Sequence, residues 1–169
     1  MKNRAIILAA GRGSRMGNET ASKPKCFTVL DGKRLLDWQI ESLNDAGIDN
    51  ITVVRGYKSE MFEGDFNKVD NKRWSETNMV ASLLCAQAFA GNTIISYSDI
   101  LFNSTVIKRT LKTDYDISVV VDIDWRGYYV GRKDHPISEA ENVIFNSNNE
   151  VEKIGKISTN NEEVHGEFI

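Results

Sequence analysis

Apolar residues along this chain fall into two patterns. Runs dominated by apolar and β-branched residues stand at Ala5 to Ala10, Ile51 to Val54, Thr93 to Tyr97 and Ile117 to Val121, each bounded by charge, glycine or polar residues. Short continuous runs of this kind suit strands buried on both faces, as in a parallel sheet. Between them the spacing lengthens to three and four. Leu36, Ile40 and Leu43 mark a helix that Gly47 ends from a left-handed position. Met79, Leu83 and Ala86 form the inner face of a second helix, capped by Thr77 or Asn78, running to about Phe89 and stopped at Gly91. Val106, Ile107 and Leu111 mark a third, capped by Ser104. Lys58 to Asn67 reads as a weaker helix, and Lys68 to Lys72 as a short strand or a loop. Asn142 to Phe145 and Val151 to Ile157 flank the polar stretch 146–150, a hairpin that extends the sheet. Strand and helix alternating in this way predict an α/β fold in a single domain, with a mostly parallel sheet, flanking helices and a C-terminal antiparallel extension.

Composition narrows the partners. The chain has 169 residues, is 41% hydrophobic and carries a formal charge of −3, which suits one domain with a substantial core and argues against a general nucleic-acid binder. Any anion site is therefore a local concentration of positive groups. Cys26 and Cys85 are too few and too far apart for a zinc motif or a disulfide framework, so reduced thiols and a cytoplasmic location are expected. Lys2 and Arg4 precede an apolar run too short for a secretory signal, and no later stretch is long enough to span a bilayer. The composition leaves room for an oligomer.

The first run breaks into Gly11-Arg12-Gly13-Ser14-Arg15-Met16-Gly17 and then reaches Lys23-Pro24-Lys25. Gly11 and Gly13 free the backbone for positive φ and close approach, so that successive N–H groups can face phosphate oxygens. Arg15 offers a planar fork for bidentate phosphate contact; Lys25 offers a mobile point charge. Two better-known loops fail on spacing. Met16 stands where a Walker loop needs its second glycine, and the same residue stands where a dinucleotide fingerprint needs glycine or alanine. Arg55 after the next strand replaces the acid that holds a ribose hydroxyl, which disfavours an NAD-type oxidoreductase and leaves NADP as the redox alternative.

Leu8-Ala9-Ala10-Gly11-Arg12-Gly13-Ser14-Arg15-Met16, followed by Pro24-Lys25, resembles the signature of nucleotidyltransferases that make nucleotide-activated sugars and alcohols. The resemblance implies a Rossmann-like sheet and transfer of a nucleoside monophosphate from an NTP to a phosphorylated acceptor, releasing pyrophosphate. It assigns Arg15 and Lys25 to catalysis and Leu8, Ala9, Ala10, Gly11, Gly13 and Ser14 to the nucleotide. Asn78 to Ser82 looks like the corresponding segment of phosphocholine and related cytidylyltransferases, which adds Asn78 to the nucleotide site and favours CTP. Asp99, just after the strand ending at Tyr97, resembles the metal-bearing aspartate of that family, implying Mg²⁺ as cofactor. By itself, an aspartate in that position is more often a cap or a turn former.

Two readings stay open for Trp125, Tyr128, Tyr129, Arg126 and Arg132. Aromatics in a strand-rich stretch usually pack a core; alternatively Trp125 and Tyr128 enclose an acceptor's quaternary ammonium while Arg132 holds its phosphate. Asp122 and Asp124 offer carboxylates to a metal or acceptor, with surface turn residues the favoured reading. Gly166 to Ile169 resembles the family's acceptor-side segment, which adds Glu167 to the acceptor candidates. In the family this segment continues to a second metal carboxylate, so that ligand is expected to lie outside the chain. The acceptor is then phosphocholine or a similar small phosphate ester, with sugar 1-phosphates as the second reading and a non-catalytic nucleotide-binding module as the alternative of another class.

Overall fold

The computed structural model describes residues 3–86, 91–133, 136–156 and 164–168; the side chain of Arg15 also falls outside the described part. The chain divides into two compact units, Met1–Lys112 and Thr113–Ile169.

In the first unit, β1 (Arg4–Ala9) lies at the centre of a parallel sheet. The chain then forms a two-residue antiparallel pair, β2 (Val29–Leu30) with β3 (Lys33–Arg34), turned by Asp31 and Gly32, both at positive φ. Helix α1 (Leu35–Asp45) follows, and β4 (Ile51–Arg55) returns beside β1 in parallel register, Ala5 opposite Ile51 and Ala9 opposite Arg55. The helix ends as its glycine predicts. Gly47 takes φ 83, its N–H donates to the Asn44 carbonyl, and Ile48 N–H reaches back to the Leu43 carbonyl at 2.9 Å. Leu43 and Ile48 are both fully buried, the apolar contact that accompanies this double hydrogen-bonded cap.

β5 (Asn67–Asp70) continues the parallel sheet beyond β4, and β6 (Thr93–Tyr97) joins the other side of β1, giving the order β5-β4-β1-β6. Ala5, Ile7 and Ala9 on one face pack with Val53, Leu36, Leu43, Cys26, Phe27 and Ile107 into the main core. Helix α2 (Met79–Cys85) packs on β1 and β4, and α3 (Ser104–Thr110) packs on α1.

Several expectations are corrected here. Lys58 to Asn67 forms only the short 3-10 turn Ser59–Met61. Arg55 binds the Ser59 carbonyl at 3.1 Å, Phe62 is buried, and Gly64 at φ 145 redirects the chain into β5, the third strand. Met79 is exposed rather than inward-facing, and Ser82 is the buried residue of α2. This helix ends at Cys85; its expected continuation to Phe89 lies outside the described residues. The cap of α3 is Asn103, one residue earlier than Ser104, with its Oδ1 accepting from Thr105 and Val106 N–H.

The second unit has its own four-stranded antiparallel-paired sheet, β7 (Val121–Asp122), β8 (Asn142–Phe145), β9 (Val151–Gly155) and β10 (Gly166–Phe168), in the order β7-β10-β8-β9. The expected hairpin is β8 and β9, turned through Asn149 at φ 62, but it belongs to this separate sheet and does not extend the first. The expected core strand from Ile117 pairs only at Val121 and Asp122, and Ile117 is 86% exposed. A β-branched run acquires burial only where another strand pairs with it. No described helix is long and apolar enough to cross a membrane.

Candidate active site

The site grows from the carboxyl ends of the parallel strands, where open α/β sheets bind ligands. β1 delivers the glycine loop and β6 delivers the Ser98-Asp99 turn. The two ends are tied together where Ser98 N–H donates to the Leu8 carbonyl at 3.3 Å.

Within the loop, glycine is required at one position for two separate reasons. Gly13 sits at φ 70, ψ 43, a left-handed conformation, and a Cβ there would come within 3.0 to 3.2 Å of Cβ, Cγ and Cδ of Lys25. The absent side chain is the groove in which the lysine stem lies. Gly17 is also left-handed, whereas Gly11 is not, so the expectation of positive φ at Gly11 is corrected. A Cβ at Gly11 would meet no atom within 4 Å. Ser14 opens the 3-10 segment that carries Arg15, and Met16 N–H donates to the Gly13 carbonyl at 3.0 Å.

Lys25 is placed by the turn Lys25–Phe27, and its ammonium forms an ion pair with the Asp99 carboxylate. Two residues 74 apart in sequence, assigned separately to catalysis and to metal binding, therefore meet. Both stay about one-third exposed, at 31% and 35%, so the pair faces solvent and contributes little to stability. Beside it Cys26 is buried, and burial pushes its thiol up to about 12, leaving it neutral and unsuited to act as a nucleophile.

Three further residues build this site and are missed by motif reasoning. Tyr57 straddles the loop: its N–H donates to the Ala10 carbonyl at 2.9 Å and its hydroxyl to the Ala21 carbonyl at 2.6 Å. Arg12 lies over the same ring, 5.8 Å from its centroid. Thr20, fully buried, donates from its hydroxyl to the Gly13 carbonyl at 3.0 Å and holds the loop from inside. Gln39 on α1, also fully buried, donates to the Tyr97 and Ile100 carbonyls at 2.8 and 2.6 Å, on either side of Asp99. A polar residue interrupting the apolar face of α1 is the one sequence signal that could have found it.

Asn78 caps α2, its Oδ1 accepting from Ala81 N–H at 3.1 Å, and it remains exposed. Its approach is fixed by Asn71, which is buried and donates to Thr77 Oγ1 at 2.9 Å and Ser82 Oγ at 3.0 Å. Leu8 and Ala9 are backbone members of β1, and Ala10 is buried at its end.

The remaining candidates lie in the second unit. Trp125 is 1% exposed and packs with Ala140, Val164, Tyr129 and Ile137, so its indole is core. Tyr128 is 60% exposed. It is Tyr129 that gathers the others: its hydroxyl donates to Glu167, Arg132 lies 5.0 Å over its ring, and Trp125 meets it edge-on. Burial, then the Glu167 carboxylate, pushes the Tyr129 phenol up to about 12. Asp122 acts as a turn former, accepting from Asp124 N–H at 2.8 Å.

Comparison with known proteins agrees with the fold. The CTP:phosphoglutamine cytidylyltransferase of Campylobacter jejuni is 32% identical in a match covering 98% of this chain and 70% of that protein. The choline-phosphate cytidylyltransferase of Haemophilus influenzae is 36% identical across 60% of this chain and 46% of that protein, so the match spans less than half of that relative. Among solved structures, the inositol-1-phosphate CTP transferase from T. maritima superimposes with a TM-score of 0.71 at 25% identity, covering 99% of this chain and 69% of that one. Residues 5–150 match the MobA-like NTP transferase domain, and the chain belongs to that family.

Proposed function

We propose that this chain carries the nucleotide-binding and transfer site of a cytidylyltransferase that moves CMP from CTP to a small phosphorylated acceptor. The observation that carries the reading is the meeting of Lys25 with Asp99 beside Gly13, at the carboxyl ends of β1 and β6. A cation and a carboxylate side by side next to a glycine loop suit a triphosphate with a divalent ion.

Asp99 fits Mg²⁺ in a particular way. Among the described residues no three His, Cys, Asp or Glu side chains gather into a metal cage. Mg²⁺ commonly uses one or two carboxylates and completes its shell with phosphate oxygens and water, which one partly exposed Asp99 can serve. When bound, the ion neutralises charge on the triphosphate.

The chain's own groups then do the following. Backbone N–H groups of the 11–17 loop, apart from that of Met16, which is spent on the Gly13 carbonyl, cradle phosphate oxygens, and Arg15 adds a bidentate contact. Lys25, on a flexible stem, moves from Asp99 to the oxygens around the α-phosphorus. An acceptor phosphate oxygen attacks that phosphorus in line; the bond to the β-phosphate oxygen breaks, and pyrophosphate leaves with the electron pair. No protein nucleophile is needed, since the acceptor phosphate is already anionic. Catalysis is positioning and charge stabilisation. On the acceptor side we assign Tyr129, Arg132 and Glu167, with Tyr128, in place of the buried Trp125. Similarity to relatives named for phosphoglutamine and choline-phosphate supports an acceptor of that size and charge.

The test is a matrix of the four NTPs against phosphocholine, other small phosphate esters and sugar 1-phosphates, read by pyrophosphate release. CTP with a small phosphate ester is expected to give the highest kcat/KM. Equal release without any acceptor would replace transfer with hydrolysis.

A further inference from the structure

Gln39 presents an arrangement that core packing does not demand. Its side chain is completely buried on α1, yet all of its polar atoms are engaged, and all of them at one place. The amide nitrogen donates one hydrogen to the Tyr97 carbonyl at 2.8 Å and the other to the Ile100 carbonyl at 2.6 Å. The amide oxygen accepts from the Ser96 hydroxyl at 3.3 Å. One turn of helix further on, Ser42 donates to the Phe102 carbonyl at 2.7 Å. Two side chains of α1 thus grip the backbone from 97 to 102, and Asp99 lies within that span.

A single amide group closes the mouth of the turn. With the carbonyls on both sides of Asp99 tied to one nitrogen, the backbone at Asp99 cannot rotate without leaving a buried donor unpaired. Apolar packing alone would hold α1 against the sheet equally well, since Leu36 and Leu43 on the same face are fully buried. Hydrogen bonds add direction. Mg²⁺ is demanding in coordination geometry, so a carboxylate that wanders loses affinity for it.

We infer that Gln39, assisted by Ser42, is a positioning residue that aims the Asp99 carboxylate at the divalent ion bound with the nucleotide. The inference rests on the reading of Asp99 as a metal ligand. Gln39 touches neither metal nor nucleotide; it acts through the turn. Partners that orient a metal ligand in this manner are typically worth about 10- to 100-fold in metal affinity or activity.

The experiment measures protein-bound Mn²⁺ by electron paramagnetic resonance in the presence of saturating CTP, with thermal unfolding of each variant run in parallel. Gln39→Met keeps the volume and removes all three hydrogen bonds; Ser42→Ala removes only the outer one. Leu43→Val, on the same helix and equally buried, serves as the control for loss of packing. Gln39→Met is expected to raise the half-saturating Mn²⁺ concentration about tenfold, and Ser42→Ala at least about threefold, while Leu43→Val stays below about 1.5-fold of wild type. Should Gln39→Met fail to fold, Ser42→Ala against Leu43→Val decides the matter. Unchanged Mn²⁺ affinity in the clamp variants, or an equal shift in Leu43→Val, overturns the inference. Asp99→Asn separates the two layers. If it binds Mn²⁺ as wild type does, the metal-ligand reading fails; if it loses Mn²⁺ while Gln39→Met does not, the positioning role alone fails.

Discussion

Alanine at Gly13 and alanine at Gly11 should behave as opposites, although the two glycines are one residue apart in the same loop. At Gly13 the backbone is left-handed, which costs a residue with a Cβ about 1 to 2 kcal/mol. The added carbon would also lie 3.0 Å from Lys25 Cβ and 3.1 Å from its Cδ, so the lysine stem must move and its ammonium must shift from Asp99. Adding up to about 1 kcal/mol for that displacement gives a total of about 1 to 3 kcal/mol. In a chain of this length each kcal/mol moves Tm by about 2 to 4 °C, so Gly13→Ala should lower Tm by about 2 to 12 °C. Gly11→Ala meets no atom and adopts no forbidden φ, so its Tm should change by no more than about 1 °C. Its added methyl instead occupies the surface over which phosphate oxygens are proposed to lie, and CTP affinity should fall about tenfold. Differential scanning fluorimetry and calorimetric CTP titration on the pair read both quantities. A wild-type Tm for Gly13→Ala, or unaltered CTP affinity for Gly11→Ala, refutes this account of the loop.

Three further outcomes follow from the geometry. Gly56→Ala would place a carbon 2.5 Å from Trp74 Cβ and 2.7 Å from the Ala10 carbonyl oxygen, an overpacking expected to cost about 1 to 3 kcal/mol, measurable as a lowered urea midpoint. Asn71→Ala removes the amide that holds Thr77 and Ser82, so proteolysis in native conditions should begin near α2, a result read by mass spectrometry of the first fragments. Burial keeps protons on Cys26 and Tyr129 up to about 12, against 9.0 and 10.0 for the free groups. Both shifts are upward, so their contribution is complete below about pH 9 and is lost as pH rises towards about 12; urea midpoints should fall across that window, and less steeply in Tyr129→Phe.

How much of this was readable beforehand differs by element for physical reasons. β1 and β4 announce themselves because strands covered on both faces must be apolar throughout, whereas β6, at the end of the sheet order, leaves Ile95 48% exposed. The end of α1 is legible because Gly47 has one conformational use there. Ile117 to Val121 misleads because its composition satisfies a strand, while pairing, which sequence does not show, reaches only its last residue. The same divide runs through the site. Gly13, Lys25 and Asp99 were nameable singly from the loop motif and the strand end, but their contact depends on β1 and β6 being neighbours. Gln39, Thr20 and Tyr57 escaped because each works on backbone carbonyls: Gln39 reaches across 58 and 61 positions, and carbonyls carry no residue identity to match against. Tyr128 and Tyr129 were indistinguishable until the turn at Trp125–Tyr129 directed one outward and the other towards Glu167.

The central claim is that Lys25 and Asp99 serve direct transfer of a nucleotidyl group. Its most direct test is ³¹P NMR of CTP and phosphocholine incubated with the protein and Mg²⁺, for wild type, Lys25→Met and Asp99→Asn. The wild-type protein should yield pyrophosphate and a new diphosphate linkage in equal amounts, and both variants should lose most of that turnover while keeping Tm, since the pair they break is partly solvent-exposed. Release of orthophosphate without a new linkage, or undiminished turnover in either variant, would contradict it.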